Sequence, residues 1–240
     1  MPYFLFSLLL FLASPVRAAP LHLAVVGDST VADYKVERTA MRGWGQLLPE
    51  FLAPGVTVLN VAQSGRSTST FPQERWQQVL KARPDFVLIQ FGHNDSHAAD
   101  RPEATDAATT FPANLRRYVA QAREAGIRPV LVTPPCRRTF DKTGHLKDHL
   151  APYAEAMKAV AGETDIPVVD LHEQSRLLFE KLGKEGSTPF TMNESDRKGK
   201  SGYDLTHFTE TGAREMARMV AEGLRGADPA LADAVRLPGS

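Results

Sequence analysis

A chain of 240 residues with 42% hydrophobic and 23% charged residues has the make-up of one ordinary globular domain, long enough to bury a sizeable core. Its 28 basic and 28 acidic residues cancel to a formal charge of zero, which excludes a charge-driven hold on nucleic acid or an acidic membrane surface. The single cysteine, Cys136, excludes an internal disulfide, so stability has to come from the core.

Taken from the N-terminus, the chain opens unlike the rest. Phe4 to Leu12 is nearly all apolar and leads into Ser14-Pro15-Val16-Arg17-Ala18-Ala19. That run is too short to cross a bilayer comfortably, and Val16 and Ala18 suit cleavage after Ala18, so residues 1–18 read as a signal peptide. It departs from the usual pattern in having no lysine or arginine ahead of the apolar run. The expectation is a secreted or periplasmic monomer, free of the membrane once processed.

Leu23-Ala24-Val25-Val26 is an apolar run of strand length that stops at Gly27-Asp28-Ser29-Thr30. Such a break delivers a hydroxyl to the carboxyl end of a strand, where ligands bind in open α/β sheets. Taken alone, the tetrapeptide reads first as an ordinary turn with Ser29 or Thr30 capping a following helix, and only the rest of the chain reverses that. Next, Gly43 to Phe51 sets Trp44, Leu47, Leu48 and Phe51 on one helical face, a core pattern. A second strand over Val56 to Val61 ends in Ser64-Gly65-Arg66-Ser67, and a short helix from Trp76 to Ala82 closes before Pro84. A third strand, Phe86 to Phe91, ends in Gly92-His93-Asn94-Asp95.

The second half repeats the alternation. A helix over Phe111 to Ala125 stops at Gly126, and a fourth strand over Pro129 to Thr133 leads into a loop from Pro134 to His149. Tyr153 to Thr164 reads as helix, Pro167 to Asp170 as a short fifth strand, and Leu171 to Leu182 as helix. A loop is expected over Gly183 to Gly202 and a last helix over Thr209 to Leu224. This predicts one α/β domain over residues 19–226. Its form is a three-layer sandwich with a parallel five-stranded sheet, order 2-1-3-4-5, flanked by helices and flavodoxin-like. Residues 227–240 are expected to form a loosely held tail.

In that strand order the loops after strands 1, 2 and 3 are neighbours around one crevice, and a helix after Ser29 would aim its N-terminus there. A serine hydroxyl needs a base and the base an orienting partner. Asp204-Leu205-Thr206-His207 offers both, since a turn across that spacing can set the carboxylate on Nδ1–H and leave Nε2 for Ser29. The plain alternative is a turn-forming Asp204 and a surface His207.

Gly27-Asp28-Ser29-Thr30, Gly65 within Ser-Gly-Arg-Ser, Gly92-His93-Asn94-Asp95 and Asp204-x-x-His207 resemble the four signature blocks of the SGNH (GDSL-type) hydrolases, in the family's order. With Gly43-Trp44-Gly45 and Asp204-Leu205-Thr206-His207-Phe208, the chain is most similar to the rhamnogalacturonan acetylesterases within that family. The resemblance implies Ser29 as nucleophile, His207 as general base and then acid, and Asp204 as the group orienting His207. It also implies an oxyanion hole made by the backbone N–H groups of Ser29 and Gly65 and the side-chain amide of Asn94. No metal or other cofactor is implied. A base of this kind works only when neutral, so activity is expected to fall toward acid pH.

The loops above the crevice are polar, and Arg66, His93, Arg137 and Arg138 are candidate substrate contacts, the arginines suited to carboxylates of an anionic glycan. Little there could line a channel for a long acyl chain. Acetyl removal from an acetylated polysaccharide, pectin rhamnogalacturonan first, is therefore expected over a lipase, a thioesterase or an acetylxylan-type esterase. A metal-dependent phosphoesterase would want an Asp-x-His near the first strand, but Asp28 is followed by Ser29 and Thr30. A non-catalytic glycan-binding protein using the same crevice is the remaining alternative. Cys136 reads as a small packing residue rather than a thiol nucleophile.

Overall fold

The structure, a computed structural model, describes residues 21–192 and 204–237; the signal peptide expected over residues 1–18 lies outside them. Five strands form one sheet: β1 (His22–Gly27), β2 (Thr57–Asn60), β3 (Phe86–Gln90), β4 (Arg128–Val132) and β5 (Val168–Val169). Every pairing is parallel and the order is β2-β1-β3-β4-β5, as the alternation of strand and helix required.

Period two divides each central strand between two cores. Leu23, Val25, Phe86, Leu88, Val130 and Val132 pack on one face of the sheet, and Ala24, Val26, Val87, Ile89 and Leu131 pack on the other. Both faces are covered, which is why these strands read as unbroken apolar runs. The second face carries α2 (Gln73–Ala82), α3 (Thr110–Glu124) and α4 (Ala151–Thr164). The first carries α1 (Trp44–Leu47), α5 (Leu171–Gly186), α6 (Glu210–Ala227) and α7 (Pro229–Ala234). In α6, Met216, Val220 and Leu224 recur every four residues and are wholly buried, each worth about 1.5–3 kcal/mol. Its start is fixed by Thr209, whose hydroxyl accepts the Gly212 N–H. Gly212 is obligatory there, because a Cβ would sit 1.9 Å from the Phe190 carbonyl oxygen.

Four expectations need correction. No helix follows Ser29 directly; the Val31 and Ala32 N–H groups both return to the Asp28 carbonyl and close a single turn, so no helix dipole of length points at the crevice. The helix expected over Gly43 to Phe51 is split, α1 giving way to a 3-10 turn over Leu48–Phe51, because Pro49 has no N–H to continue the α ladder. Trp44, Leu47, Leu48 and Phe51 are nonetheless all buried. The loop expected from Gly183 begins instead with further helix to Gly186, kinked where Gly183 takes φ 67°, and a 3-10 turn over Thr188–Phe190; residues 193–203 lie outside the description. The tail is not loose as far as residue 237, since α7 buries Leu231 and Ala234 and Val235 bridges Leu52.

Candidate active site

β1, β2 and β3 are adjacent, so the segments leaving their carboxyl ends meet at one rim. Ser29 is carried on the turn after β1, and its neighbour Asp28 holds that turn shut. Asp28 is fully buried, and its Oδ1 accepts the Thr30 N–H at 2.9 Å and the Thr30 hydroxyl at 2.7 Å. Gln90, at the end of β3, donates from Nε2 to Asp28 Oδ2 at 3.3 Å and accepts the Trp44 indole N–H at 2.9 Å. Burial pushes the Asp28 carboxyl upward, but the His93 imidazole facing it and the Thr30 donors outweigh it and hold its pKa low.

From the other end of the chain, Asp204 to His207 forms a local turn in which Asp204 Oδ1 accepts the N–H of Thr206 at 3.2 Å and of His207 at 3.0 Å. The other oxygen, Oδ2, lies 2.8 Å from His207 Nδ1. His207 Nε2 then reaches Ser29 Oγ at 2.8 Å, across 178 positions of sequence. With Nδ1–H donating to Asp204, Nε2 is left as acceptor for the serine hydroxyl. Burial raises the Asp204 carboxyl, yet its bonds with His207 and the Thr206 N–H prevail and leave it at about 2. The turn is bolted to its surroundings through the His207 and Phe208 carbonyls, which accept the N–H groups of Met192 and Arg42.

Gly65 occupies an exposed turn after β2 with φ +75°, where a side chain would be strained. Asn94, after β3, donates from Nδ2 to the Arg66 carbonyl at 2.9 Å, which leaves its second N–H for a ligand. Asp95 fastens these two loops together. Its Oδ1 accepts the Thr68 N–H at 3.1 Å, the Thr68 hydroxyl at 2.5 Å and the Thr105 hydroxyl at 2.9 Å, while Oδ2 accepts the Gly92 N–H at 3.1 Å. Burial pushes this carboxyl up to about 6 against those bonds. On the opposite flank Tyr34 donates its hydroxyl to the Ser29 carbonyl at 2.8 Å and lies 2.9 Å from Ser64 Oγ, tying the serine turn to the Gly65 loop. Tyr34 escaped the sequence reading, where nothing marks it. Asp95 stood inside a quoted motif, but its partners could not be read from it.

The candidate substrate contacts separate. Arg66 and Arg137 are partly exposed on the loops at the rim. Arg137 Nη2 donates to the His93 carbonyl at 2.8 Å and to Ser96 Oγ at 3.2 Å. His93 is 3% exposed, and its Nδ1 lies 3.4 Å from Asp28 Oδ2; burial, only partly opposed by Asp28, lowers its pKa. Arg138 corrects the expectation of a substrate contact. Its guanidinium turns inward and donates to Thr191 Oγ1 at 2.7 Å and to the Lys184 carbonyl at 2.9 Å.

Among the described residues, one set of three could hold a metal: donor atoms of Cys136, Asp148 and His172 lie within 4.8 Å of one another. Asp148 and His172 already satisfy each other at 2.9 Å, and burial pushes the Cys136 thiol up to about 12. None of the three belongs to the Ser29–His207–Asp204 chain, and Cys136 packs in the core.

A serine, imidazole and carboxylate in a continuous hydrogen-bonded chain, at the carboxyl rim of a doubly wound sheet, define a serine-hydrolase type of site. Comparison with known proteins agrees with that class: residues 25–215 match the GDSL-like lipase/acylhydrolase family, and the chain belongs to that family. The rhamnogalacturonan acetylesterase RhgT of Bacillus subtilis is 40% identical over 212 residues, covering 85% of this chain and 90% of that protein. The crystal structure of protein YXIM from Bacillus subtilis superposes with a TM-score of 0.72 at 25% identity, over 86% of this chain and 56% of that one. The acetylxylan esterase Axe2 of Geobacillus stearothermophilus shares the fold, with a TM-score of 0.64 at 19% identity over 85% of this chain and 94% of its own.

Proposed function

We propose that this protein is a serine esterase that removes O-acetyl groups from a polysaccharide of the rhamnogalacturonan type. The observation that carries the reading is the unbroken chain Asp204–His207–Ser29, with 2.8 Å at each link. The likeness to RhgT, which spans most of both chains, supports the substrate class. His207 takes the Ser29 proton as Oγ attacks the acetyl carbonyl, and Asp204 steadies the imidazolium that forms. The developing oxyanion is met by the N–H groups of Ser29 and Gly65 and the Asn94 amide. His207 then gives its proton to the departing sugar hydroxyl. In the second half it draws a proton from water, which attacks the acetyl-enzyme and releases acetate and free Ser29. In this reading residues 1–18 direct export, and the enzyme works as a monomer in the periplasm or beyond.

The test is acetate release from acetylated rhamnogalacturonan, acetylated xylan and p-nitrophenyl acetate. Wild type should favour the first, and Ser29→Ala should lose on the order of 10⁶ in kcat while still folding. Turnover that persists in Ser29→Ala, or is abolished by EDTA, would overturn the mechanism.

A further inference from the structure

Two of the three donors assigned to the oxyanion come from different strand-end segments, Ser29 from the turn after β1 and Gly65 from the loop after β2. For both N–H groups to meet one oxygen, their spacing has to hold to within about 0.5 Å. Gly65 contributes nothing to that constraint. It is exposed at φ +75°, a Cβ there would meet nothing within 4 Å, and among the described residues it makes no hydrogen bond of its own. Its neighbours therefore place it. Arg66 is gripped from the β3 side, where its carbonyl accepts the Asn94 amide at 2.9 Å. Ser64 is gripped from the β1 side, where its Oγ lies 2.9 Å from the Tyr34 hydroxyl.

Proton accounting gives the second grip a direction. The Tyr34 hydroxyl has one proton, which goes to the Ser29 carbonyl at 2.8 Å. Ser64 must then donate to Tyr34 Oη, making a chain from Ser64 through Tyr34 to Ser29 in which each bond polarises the next. Burial pushes the Tyr34 hydroxyl up to about 12, so it keeps its proton through the neutral range.

The backbone of Tyr34 is held as firmly as its hydroxyl. Gln46, in α1, clamps it twice: Oε1 accepts the Tyr34 N–H and Nε2 donates to the Tyr34 carbonyl, each at 3.0 Å. Asn60, at the end of β2, donates to the Val31 carbonyl at 2.9 Å and to the Asp33 carboxylate at 2.7 Å. The ring packs against the core, while residues 35–38 just beyond it are exposed. The clamps thus fall on the tyrosine and not on the loop that follows.

We propose that Tyr34 is a positioning residue of the oxyanion hole: clamped by Gln46, it sets the Gly65 N–H against the Ser29 N–H by way of Ser64. The proposal rests on the esterase reading above and adds to it a residue that acts through Ser29 and Ser64 rather than on the reacting atoms.

The experiment measures kcat and KM on p-nitrophenyl acetate for wild type, Tyr34→Phe, Ser64→Ala and the double variant. Alongside, it measures the affinity of a trifluoromethyl ketone, whose adduct with Ser29 puts an oxyanion in the hole. Tyr34→Phe should lower kcat on the order of 10- to 30-fold with KM within about twofold, part of the 10²–10³ lost when a donor is removed outright. Ketone affinity should fall by the same factor as kcat/KM, a readout that a merely structural role would not move. Ser64→Ala breaks the same link from its exposed end, so it should cost as much, and the double variant should lose no more than either. A kcat within about twofold of wild type in both single variants, fully additive losses, a loss carried by KM, or ketone affinity unchanged while kcat falls would each overturn the assignment. Tyr34→Phe keeps the packed ring; should it nonetheless unfold, Ser64→Ala tests the link alone. Failure of the esterase reading itself shows separately, as no Ser29-dependent turnover of p-nitrophenyl acetate by wild type.

Discussion

Asp204 and His207 stand 2.8 Å apart while Asp28 and His93 stand 3.4 Å apart, and both pairs sit at the same edge of the same sheet. The first is half open: His207 is 25% exposed, and its far nitrogen meets the serine hydroxyl. The second is sealed, with Asp28 at 0% and His93 at 3%, and among the described residues no group bonds the far nitrogen of His93. Asp204 spends its second oxygen on the backbone of the turn that carries its own histidine. Asp28 spends its own on Thr30, the residue after the nucleophile. Carboxylate and imidazole side by side therefore do not make a base. What matters is which atom the second nitrogen faces and whether the cation formed in the reaction can be solvated. The sealed pair instead shapes the floor under Ser29.

The largest expected effect separates the two histidines. His207→Ala should lower kcat on the order of 10⁶, whereas His93→Gln should cost less than about tenfold in kcat on p-nitrophenyl acetate; comparable losses in steady-state rates would erase the distinction. The aspartates come next. Asp204→Asn should drop kcat on the order of 10⁴, by favouring the wrong imidazole tautomer, and cost up to about 2 kcal/mol of urea stability through its lost charge. Asp28→Ala should instead lose about 2–4 kcal/mol of urea stability, because the Thr30 N–H and the Gln90 Nε2 amide both lose their acceptor inside the core. If Asp28→Ala proves as stable as wild type, the floor is not built as described.

A smaller effect lies between the loops. Asn94→Ala should cost on the order of 10²–10³ in kcat. Asp95→Asn presents an amide to donors that now meet oxygens and should cost roughly 10- to 100-fold in kcat, with KM little changed. Because Asp95 acts by setting the spacing of the Gly65 and Asn94 loops, its effect should shrink in the Asn94→Ala background. A double-mutant cycle with fully additive losses would refute that spacing role.

The smallest effects are in stability against pH. Asp204, ordinarily near 3.8, is held at about 2 in the folded protein. Its contribution, about 2 kcal/mol, is full above the unfolded value and disappears as pH falls from there through about 2. Asp95 has the opposite sign, since its folded value of about 6 lies above 3.8. It costs stability increasingly as pH rises from 3.8 through about 6, and that cost stays above it. Chemical denaturation across the acid range should therefore show a shallower early decline in Asp204→Asn and the loss of the second slope in Asp95→Asn.

Much of this was legible in the chain. Phe86 to Phe91 announces a buried strand by composition alone, and Asp204-x-x-His207 encodes its own turn, because the carboxylate reaches the N–H groups two and three residues on. Less legible was everything that depends on a partner elsewhere. Arg138 reads like Arg137 until Thr191 and the Lys184 carbonyl draw it inward. The tail looks expendable until Leu231 meets the core. The turn at Ser29 promises a helix until backbone bonds to a single carbonyl show that it closes at Ala32.

The sequence by itself determined what is local: the alternation of strand and helix, the two-faced apolar strands, the glycine turn at position 65 and the carboxylate-imidazole turn near the end. These follow from periodicity and from hydrogen bonds that close within a few residues. The tertiary structure decided which histidine faces the serine, which arginine is buried and how Asp95 joins two loops. The β2-β1-β3 order brings Thr68 to Asp95 across 27 positions, and the backbone bonds of the Asp204–His207 turn to Met192 and Arg42 bring His207 to Ser29 across 178. No short stretch of sequence carries both partners of such bonds.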